Sequence, residues 1–289
     1  MSRPTRTVAR DISYSFSARI RAGKAFVRGV ENVTGRLRLL KMAFGYENEV
    51  AAGRDFWHVM QERYGISLDL VGEGLANLSA EGPLVVVANH PYRIVDGLAM
   101  GRILSTVRGG EFKIIANNVF KKAKDLDRAI LAIDFSETKE AVRKNIAARK
   151  EALEYLATGG AIGIFPGGTV ATSAKPFSRP LDPPWKTFTA KMLAKSDAAV
   201  VPMYFEGQNS RLFQIASHLN YTLRMALLIN EFDSRVGGPL WVHIGRPLPE
   251  AAIDARRRDP KAMMDYLRVQ TYRLSPRPVK DGAYGLYLG

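Results

Sequence analysis

Six short apolar runs punctuate this chain: residues 84–88, 112–116, 130–134, 161–165, 199–205 and 240–244. Each is too short for a buried helix and is rich in Val, Ile, Leu or Phe. Such a run reads as a strand covered on both faces. The intervals between the runs carry helical patterns, over residues 47–64, 96–105, 137–158, 186–195, 209–232 and 260–274. The clearest is 137–158, with Glu140 and Lys144 one turn apart and Gly159-Gly160 as its stop. Strands that alternate with helices pair in parallel, because each crossover helix returns the chain to the same edge. The fold class expected is therefore α/β: a single domain with a mostly parallel central sheet flanked by helices. Residues 177–185 (FSRPLDPPW) read as a proline-rich loop, and residues 275–289 as an irregular tail.

Charge divides the chain differently. The formal net charge is +14, and residues 1–45 hold ten basic side chains against Asp11 and Glu31. Ile12, Phe16, Ile20, Val27, Val30, Val33, Leu37, Leu40 and Phe44 recur there at spacings of mostly three and four. That is a basic amphipathic helical segment, with Gly29 and Gly35 favouring a bend near residues 32–35. It precedes an α/β domain over residues 46–274. A basic amphipathic helix suits an anionic membrane surface. The alternatives are a helix that packs on its own domain with a solvated basic face, and a nucleic-acid contact. The excess lies on a terminal segment without a recognised nucleic-acid module, so no nucleic-acid partner is expected. No run approaches the ~18 apolar residues of a spanning helix, and MSRPTRTVARD is not a secretory signal. The expected placement is peripheral, on the cytoplasmic face of the inner or plasma membrane. With no cysteine, thiol catalysis, disulfides and Cys-ligated metals are excluded.

Nucleophile-elbow, phosphate-loop and H-E-x-x-H motifs are missing, and the four histidines are scattered, so no metal site is expected. One constellation remains. The run 84–88 leads into Asn89-His90-Pro91, and Asp96 opens the next helical pattern. Open α/β sheets form their sites outside the carboxyl ends of strands. His90 there, held by Asp96, has the parts of a general base acting on a hydroxyl. The alternative is a turn histidine beside a helix-capping Asp96. A second run leads into Phe165-Pro166-Gly167-Gly168-Thr169. Adjacent glycines let backbone N–H groups converge on an anion or oxyanion, although an ordinary turn has the same composition. A third run passes through Val201-Pro202 into a loop.

Taken together these segments resemble the glycerolipid acyltransferase superfamily, the lysophosphatidate-acyltransferase-like group, over residues 84–247. Asn89-His90 and Asp96 match its N-H-x4-D motif with five intervening residues instead of four; a bacterial hemolysin-like branch shares that gap and the Pro after His. Residues 165–169 match F-P-E-G-T with Gly167 in place of Glu, and Val201-Pro202 match the late V-P motif. Phe135 stands where the family's second motif ends in Arg, and residues 170–173 also lack one. The resemblance implies direct transfer of a fatty acyl chain from acyl-CoA or acyl-carrier protein to a lysolipid hydroxyl, with no metal and no cofactor. His90 would be the base and Asp96 its orienting group. Asn89, Phe165, Pro166, Gly167, Gly168 and Thr169 would line the substrate site. Arg93, Lys113, Lys121 and Lys122 are the candidate cations for an anionic head group or the donor phosphates, or are solvated surface charges. The missing Glu and Arg point to a pocket less selective for a bare phosphate, one that suits a bulkier or less anionic acceptor such as an amino-acid lysolipid (lyso-ornithine lipid, for example) or a lysophospholipid with a large head group; the alternative is that Lys121, Lys122 or Arg93 takes over the phosphate contact and lysophosphatidate (1-acylglycerol-3-phosphate) remains the acceptor. A non-catalytic binding protein for anionic lipid or nucleic acid is the rival reading, as is a lipid transacylase or hydrolase using the same pair.

Overall fold

All six apolar runs form strands, and two of them keep their expected bounds, Leu84–Ala88 and Ala199–Phe205. The computed structural model describes residues 13–15, 20–117, 124–134 and 138–287. The strands are β1 (Ser67–Val71), β2 (Leu84–Ala88), β3 (Phe112–Asn117), β4 (Ile130–Ile133), β5 (Ala161–Ile164), the short β6 (Thr172–Ser173) and β7 (Pro180–Leu181), β8 (Ala199–Phe205) and β9 (Pro239–Ile244). The helices are α1 (Arg21–Glu31), α2 (Leu37–Ala43), α3 (Tyr46–Ala51), α4 (Phe56–Arg63), α5 (Ile94–Arg108), α6 (Lys124–Asp127), α7 (Lys139–Ala157), α8 (Phe188–Leu193), α9 (Arg211–Leu219), α10 (Tyr221–Asp233), α11 (Glu250–Asp254) and α12 (Pro260–Arg273).

The seven-stranded sheet has the order β1-β9-β8-β2-β5-β3-β4. Strands β8, β2, β5, β3 and β4 run parallel, while β9 is antiparallel to β8 and parallel to β1. The central strand β2 is buried along its whole length. Its alternate residues point to opposite faces. Leu84, Val86 and Ala88 meet α4, α5, α9 and α10 on one side. Val85 and Val87 meet α7, α8 and α12 on the other. Two covered faces explain why these strands read as unbroken apolar runs rather than as alternation.

Two expected helices are split. The 47–64 pattern breaks between α3 and α4, where Asp55 caps α4 by accepting from the His58 N–H at 3.0 Å. The 209–232 pattern breaks at Asn220, whose extended backbone and side-chain acceptor start α10. Strand β1 went unread because Asp69 interrupts its apolar residues and most of it is exposed.

The bend expected near residues 32–35 is present. Residues 32–36 form a π-turn, with Gly35 at φ 124°, a conformation that favours glycine. The segment also joins the domain. Val27, Leu39 and Ala43 are buried in the main core, and α1 lies along α10. The apolar stripe is thereby divided: Ile20, Val33, Leu37 and Phe44 stay exposed, as does Phe26. Ile12 and Phe16 lie outside the described residues. No described helix is long and apolar enough to cross a membrane.

Candidate active site

Strand β2 delivers its chain to the carboxyl edge of the sheet, where Asn89 closes the strand end. Its amide donates to the Phe205 carbonyl at 2.9 Å, and its carbonyl accepts from the Phe205 N–H at 2.7 Å. Asn89 thus clamps the ends of β2 and β8 together and is structural in this conformation. His90 follows, and a tight loop with Arg93 at φ 70° leads into α5. Asp96 sits in the first turn of α5. One of its oxygens, Oδ2, accepts from the N–H of Tyr92 (2.7 Å) and of Arg93 (3.0 Å) and lies 3.0 Å from His90 Nδ1. A carboxylate oxygen only accepts, so Nδ1 carries the proton and Nε2 is left with a free lone pair. Asp96 is fully buried, and that burial pushes its carboxyl above the usual range despite the opposing hydrogen bonds.

The His90 ring stacks on Phe165 at 4.1 Å between centroids. Its main chain is held at both ends: the N–H donates to Asp182 Oδ1 at 3.2 Å, and the carbonyl accepts from Ala171 N–H at 2.9 Å. The imidazole therefore keeps only its rotation about two side-chain bonds, and Asp96 and Phe165 fix those. Among the described residues no three His, Asp or Glu side chains gather at metal-binding distance.

The loop after β5 runs beneath His90. The Pro166 carbonyl accepts from Lys186 N–H, and Gly168 N–H closes a turn on the Phe165 carbonyl, both at 3.0 Å. The Gly168 amide is thereby spent within the loop. The amides of Gly167, Thr169 and Val170 have no partner among the described residues. A side chain at Gly167 would place its Cβ 3.3 Å from Asp182 Cγ. Asp182, from the proline-rich loop, is wholly buried and accepts from Trp185 Nε1 at 2.9 Å. A carboxylate thus lies beside position 167 without being carried by it. Burial pushes the Asp182 carboxyl up.

The cations are arranged differently from expectation. Lys113 is not brought to the site. It lies near the amino end of β3, paired in register with Ile162, where it donates to the Arg128 carbonyl at 2.6 Å. From that level of the sheet to His90 is about five residues, or ~16 Å of strand. Lys121, Lys122 and Phe135 lie outside the described residues. Arg93 is at the site, with its guanidinium 4.9 Å from the Tyr14 ring centre. A second arginine, not anticipated from the sequence, comes from α10. Arg224 donates to Thr172 Oγ1 (2.6 Å), Ser217 Oγ (2.8 Å), Val170 O (3.2 Å) and Thr169 Oγ1 (3.3 Å). The stretch 170–173 lacks its own arginine, and α10 supplies one from 55 residues beyond Thr169. One signal did mark it: Arg224 is the single charge in the otherwise apolar or neutral run 221–230.

The chain is similar to several known proteins. The chain is 26% identical to the lyso-glycine lipid O-acyltransferase of Bacteroides thetaiotaomicron over 239 residues, covering 79% of this chain and 82% of that protein. It is 27% identical to the lyso-glycine lipid O-acyltransferase of Phocaeicola vulgatus over 229 residues, covering 77% and 78%. Among solved structures, the 1-acyl-sn-glycerophosphate (LPA) acyltransferase PlsC of Thermotoga maritima matches with a TM-score of 0.46 and 19% identity, over 92% of this chain and 87% of that one. A family model described as acyltransferase matches residues 45–277, a span that contains the His90–Asp96 pair, the glycine loop and both arginines. With most of its length matched in this way, the chain belongs to the acyltransferase family.

Proposed function

We propose that this protein moves a fatty acyl chain from a thioester donor, acyl-carrier protein or acyl-CoA, to the hydroxyl of a lysolipid. The observation that carries the reading is the His90–Asp96 pair: 3.0 Å apart, with Asp96 buried, at the carboxyl edge of the central strand. In the reaction His90 Nε2 removes the proton from the acceptor hydroxyl as its oxygen attacks the thioester carbonyl. The C–S bond then breaks, and the proton on His90 passes to the departing thiolate. Asp96 stabilises the imidazolium in between. The amides of Gly167, Thr169 and Val170 are the candidate donors to the oxyanion. Two relatives named for lyso-glycine lipid support an amino-acid lysolipid as acceptor. Exposed Phe26, Val33, Leu37 and Phe44, set among Arg21, Lys24 and Lys41, support a peripheral seat on an anionic membrane surface, at its cytoplasmic face.

The test is acyl transfer from a labelled thioester to a panel of lysolipids, read by mass spectrometry. Lysolipid-dependent product with the intact protein and none with His90→Ala is expected. Release of free fatty acid alone would replace this reading with a hydrolase.

A further inference from the structure

Helix α7 carries its charges in the order that its own dipole disfavours. Residues 139–150 hold Lys139, Arg143, Lys144, Arg149 and Lys150 against Glu140 alone, while Glu151 and Glu154 fall in the last two turns. A helix favours acids in its first turn and bases in its last. Lys144 and Lys150 are answered by Glu140 and Glu154 one turn away. Lys139, Arg143 and Arg149 form no ion pair among the described residues. Val142 and Ile146 lie between them, 55% and 53% exposed. Positions 139, 142, 143, 146, 149 and 150 recur at spacings of three and four, so their side chains share one stripe of the helix. Ala141, Ala148, Ala152 and Leu156 are buried on the other side. The stripe is thus basic at both ends and apolar in the middle.

It also lies within reach of His90. Asn145, level with the middle of the stripe, exchanges two hydrogen bonds with the main chain of Asp134: its side-chain carbonyl accepts from the N–H at 2.8 Å, and its amide donates to the carbonyl at 2.7 Å. Asp134 follows the last residue of β4, so the Lys139 end of α7 projects past the carboxyl edge of the sheet, the edge that bears His90. Strand order places β4 three strands from β2, a span of ~14 Å. Helix α7 covers the sheet face opposite to the one that α1 and α2 join.

We infer that this stripe docks a small acidic protein that carries the fatty acyl chain as a thioester on a flexible pantetheine arm, an inference that rests on the thioester donor proposed above. An acidic surface answers the unpaired cations. Val142 and Ile146 supply the apolar centre that a protein partner buries and a free nucleotide donor does not need. The extended arm covers the span from α7 to His90. A carrier seated there approaches from the side away from α1 and α2, so the protein can hold a membrane surface and its donor at once. A second copy of this chain is disfavoured as the occupant, because its own stripe would bring like charges together.

The experiment compares three palmitoyl donors with one lysolipid acceptor: palmitoyl-acyl-carrier protein, palmitoyl-CoA and palmitoyl-pantetheine, which has neither the protein nor the nucleotide. In Lys139→Glu/Arg143→Glu, kcat/KM with the carrier protein is expected to fall ~10-fold or more, and with the other two donors to change less than ~3-fold. Val142→Ser/Ile146→Ser is expected to lower the carrier value alone. Both variants are expected to keep their fold, and the first its full Tm, because acids suit the start of a helix. Carrier turnover by the intact protein is expected to fall as salt rises, and the charge-reversed variant to lose that dependence. Equal losses on carrier and CoA would make the stripe a phosphate contact and overturn the docking site, as would unchanged carrier turnover in the variants or use of CoA alone by the intact protein. Calorimetric titration of holo-acyl-carrier protein needs no turnover: binding that the charge reversal removes supports the site, and absence of binding to the intact protein refutes it. Loss of vesicle binding in the charge-reversed variant would instead give the stripe to the membrane. If no donor yields product, the acyl-transfer reading fails, and the titration still decides the docking site.

Discussion

Asp96 directs three donors with a single oxygen, two of them amides of the loop it orients and the third the His90 imidazole. Asp96→Asn keeps the shape and loses the charge that stabilises the imidazolium. Turnover is expected to fall by up to ~10⁴-fold with the circular dichroism spectrum unchanged. His90→Ala is expected to abolish transfer altogether, and near-normal rates in a folded variant of either kind would sink the mechanism. Gly167 tests a different contact. Gly167→Glu restores the family's motif but drives a second carboxylate against buried Asp182, 3.3 Å from the new Cβ. Overpacking and like charge together are expected to cost ~2–3 kcal/mol, or roughly 5–10 °C in Tm. Adding Asp182→Ser should recover part of that loss. Strictly additive losses in the double variant would mean that the two positions do not meet.

At the level of elements, α1 and α2 each have two roles. Val27 points inward from α1, which lies along α10, and Leu39 and Ala43 are buried in the main core, while Ile20, Phe26, Val33, Leu37 and Phe44 point outward. Deleting residues 1–45 would therefore damage the core as well as any membrane contact. The informative variant replaces only the outward set, Phe26, Val33, Leu37 and Phe44, with Ser. It is expected to keep its Tm within ~6 °C, since exposed substitutions seldom exceed ±0.5 kcal/mol each, and to lose at least ~10-fold in binding to anionic vesicles. Sedimentation with vesicles at rising salt checks the electrostatic share, because exposed charges are screened beyond ~8 Å at physiological ionic strength. Unchanged vesicle binding in the Ser variant would remove this face from the membrane contact.

Across the whole molecule, the loop network around Asp182 joins the two ends of the α/β domain. Its main-chain N–H donates to Tyr272 Oη at 2.8 Å, and its carbonyl accepts from Arg268 Nη2 and Gly285 N–H, both at 3.0 Å. Leu286 N–H binds the Thr172 carbonyl at 3.1 Å, so the irregular tail covers β6 and β7 next to the Ala171 and Asp182 contacts with His90. Removing residues 275–289 strips two of these backbone bonds and leaves buried carbonyls to water. A loss of ~1–2 kcal/mol, or roughly 3–6 °C in Tm, is expected, with a lower kcat as the loops that carry His90 loosen. Thermal melts and steady-state kinetics on the shortened chain decide it. An unchanged kcat would show that the tail does not support the site.

The sequence by itself determined what depends on near neighbours. Unbroken Val/Ile runs identify strands covered on both faces, because burial on two sides leaves no polar position to alternate with. The His90–Asp96 pair was legible because the two residues are six apart and one loop closes the distance. Gly35 marked the bend because its φ of 124° favours glycine over any other residue. The tertiary structure decided everything that required strand order. Asp182 reaches the His90 amide from 92 residues away, and Arg224 reaches Thr169 from 55. Lys113 looked as eligible as Arg93 until its strand placed it at the opposite edge of the sheet. A charge and its site are brought together by the packing of elements, and a one-dimensional pattern records periodicity within an element but not which element will be its neighbour.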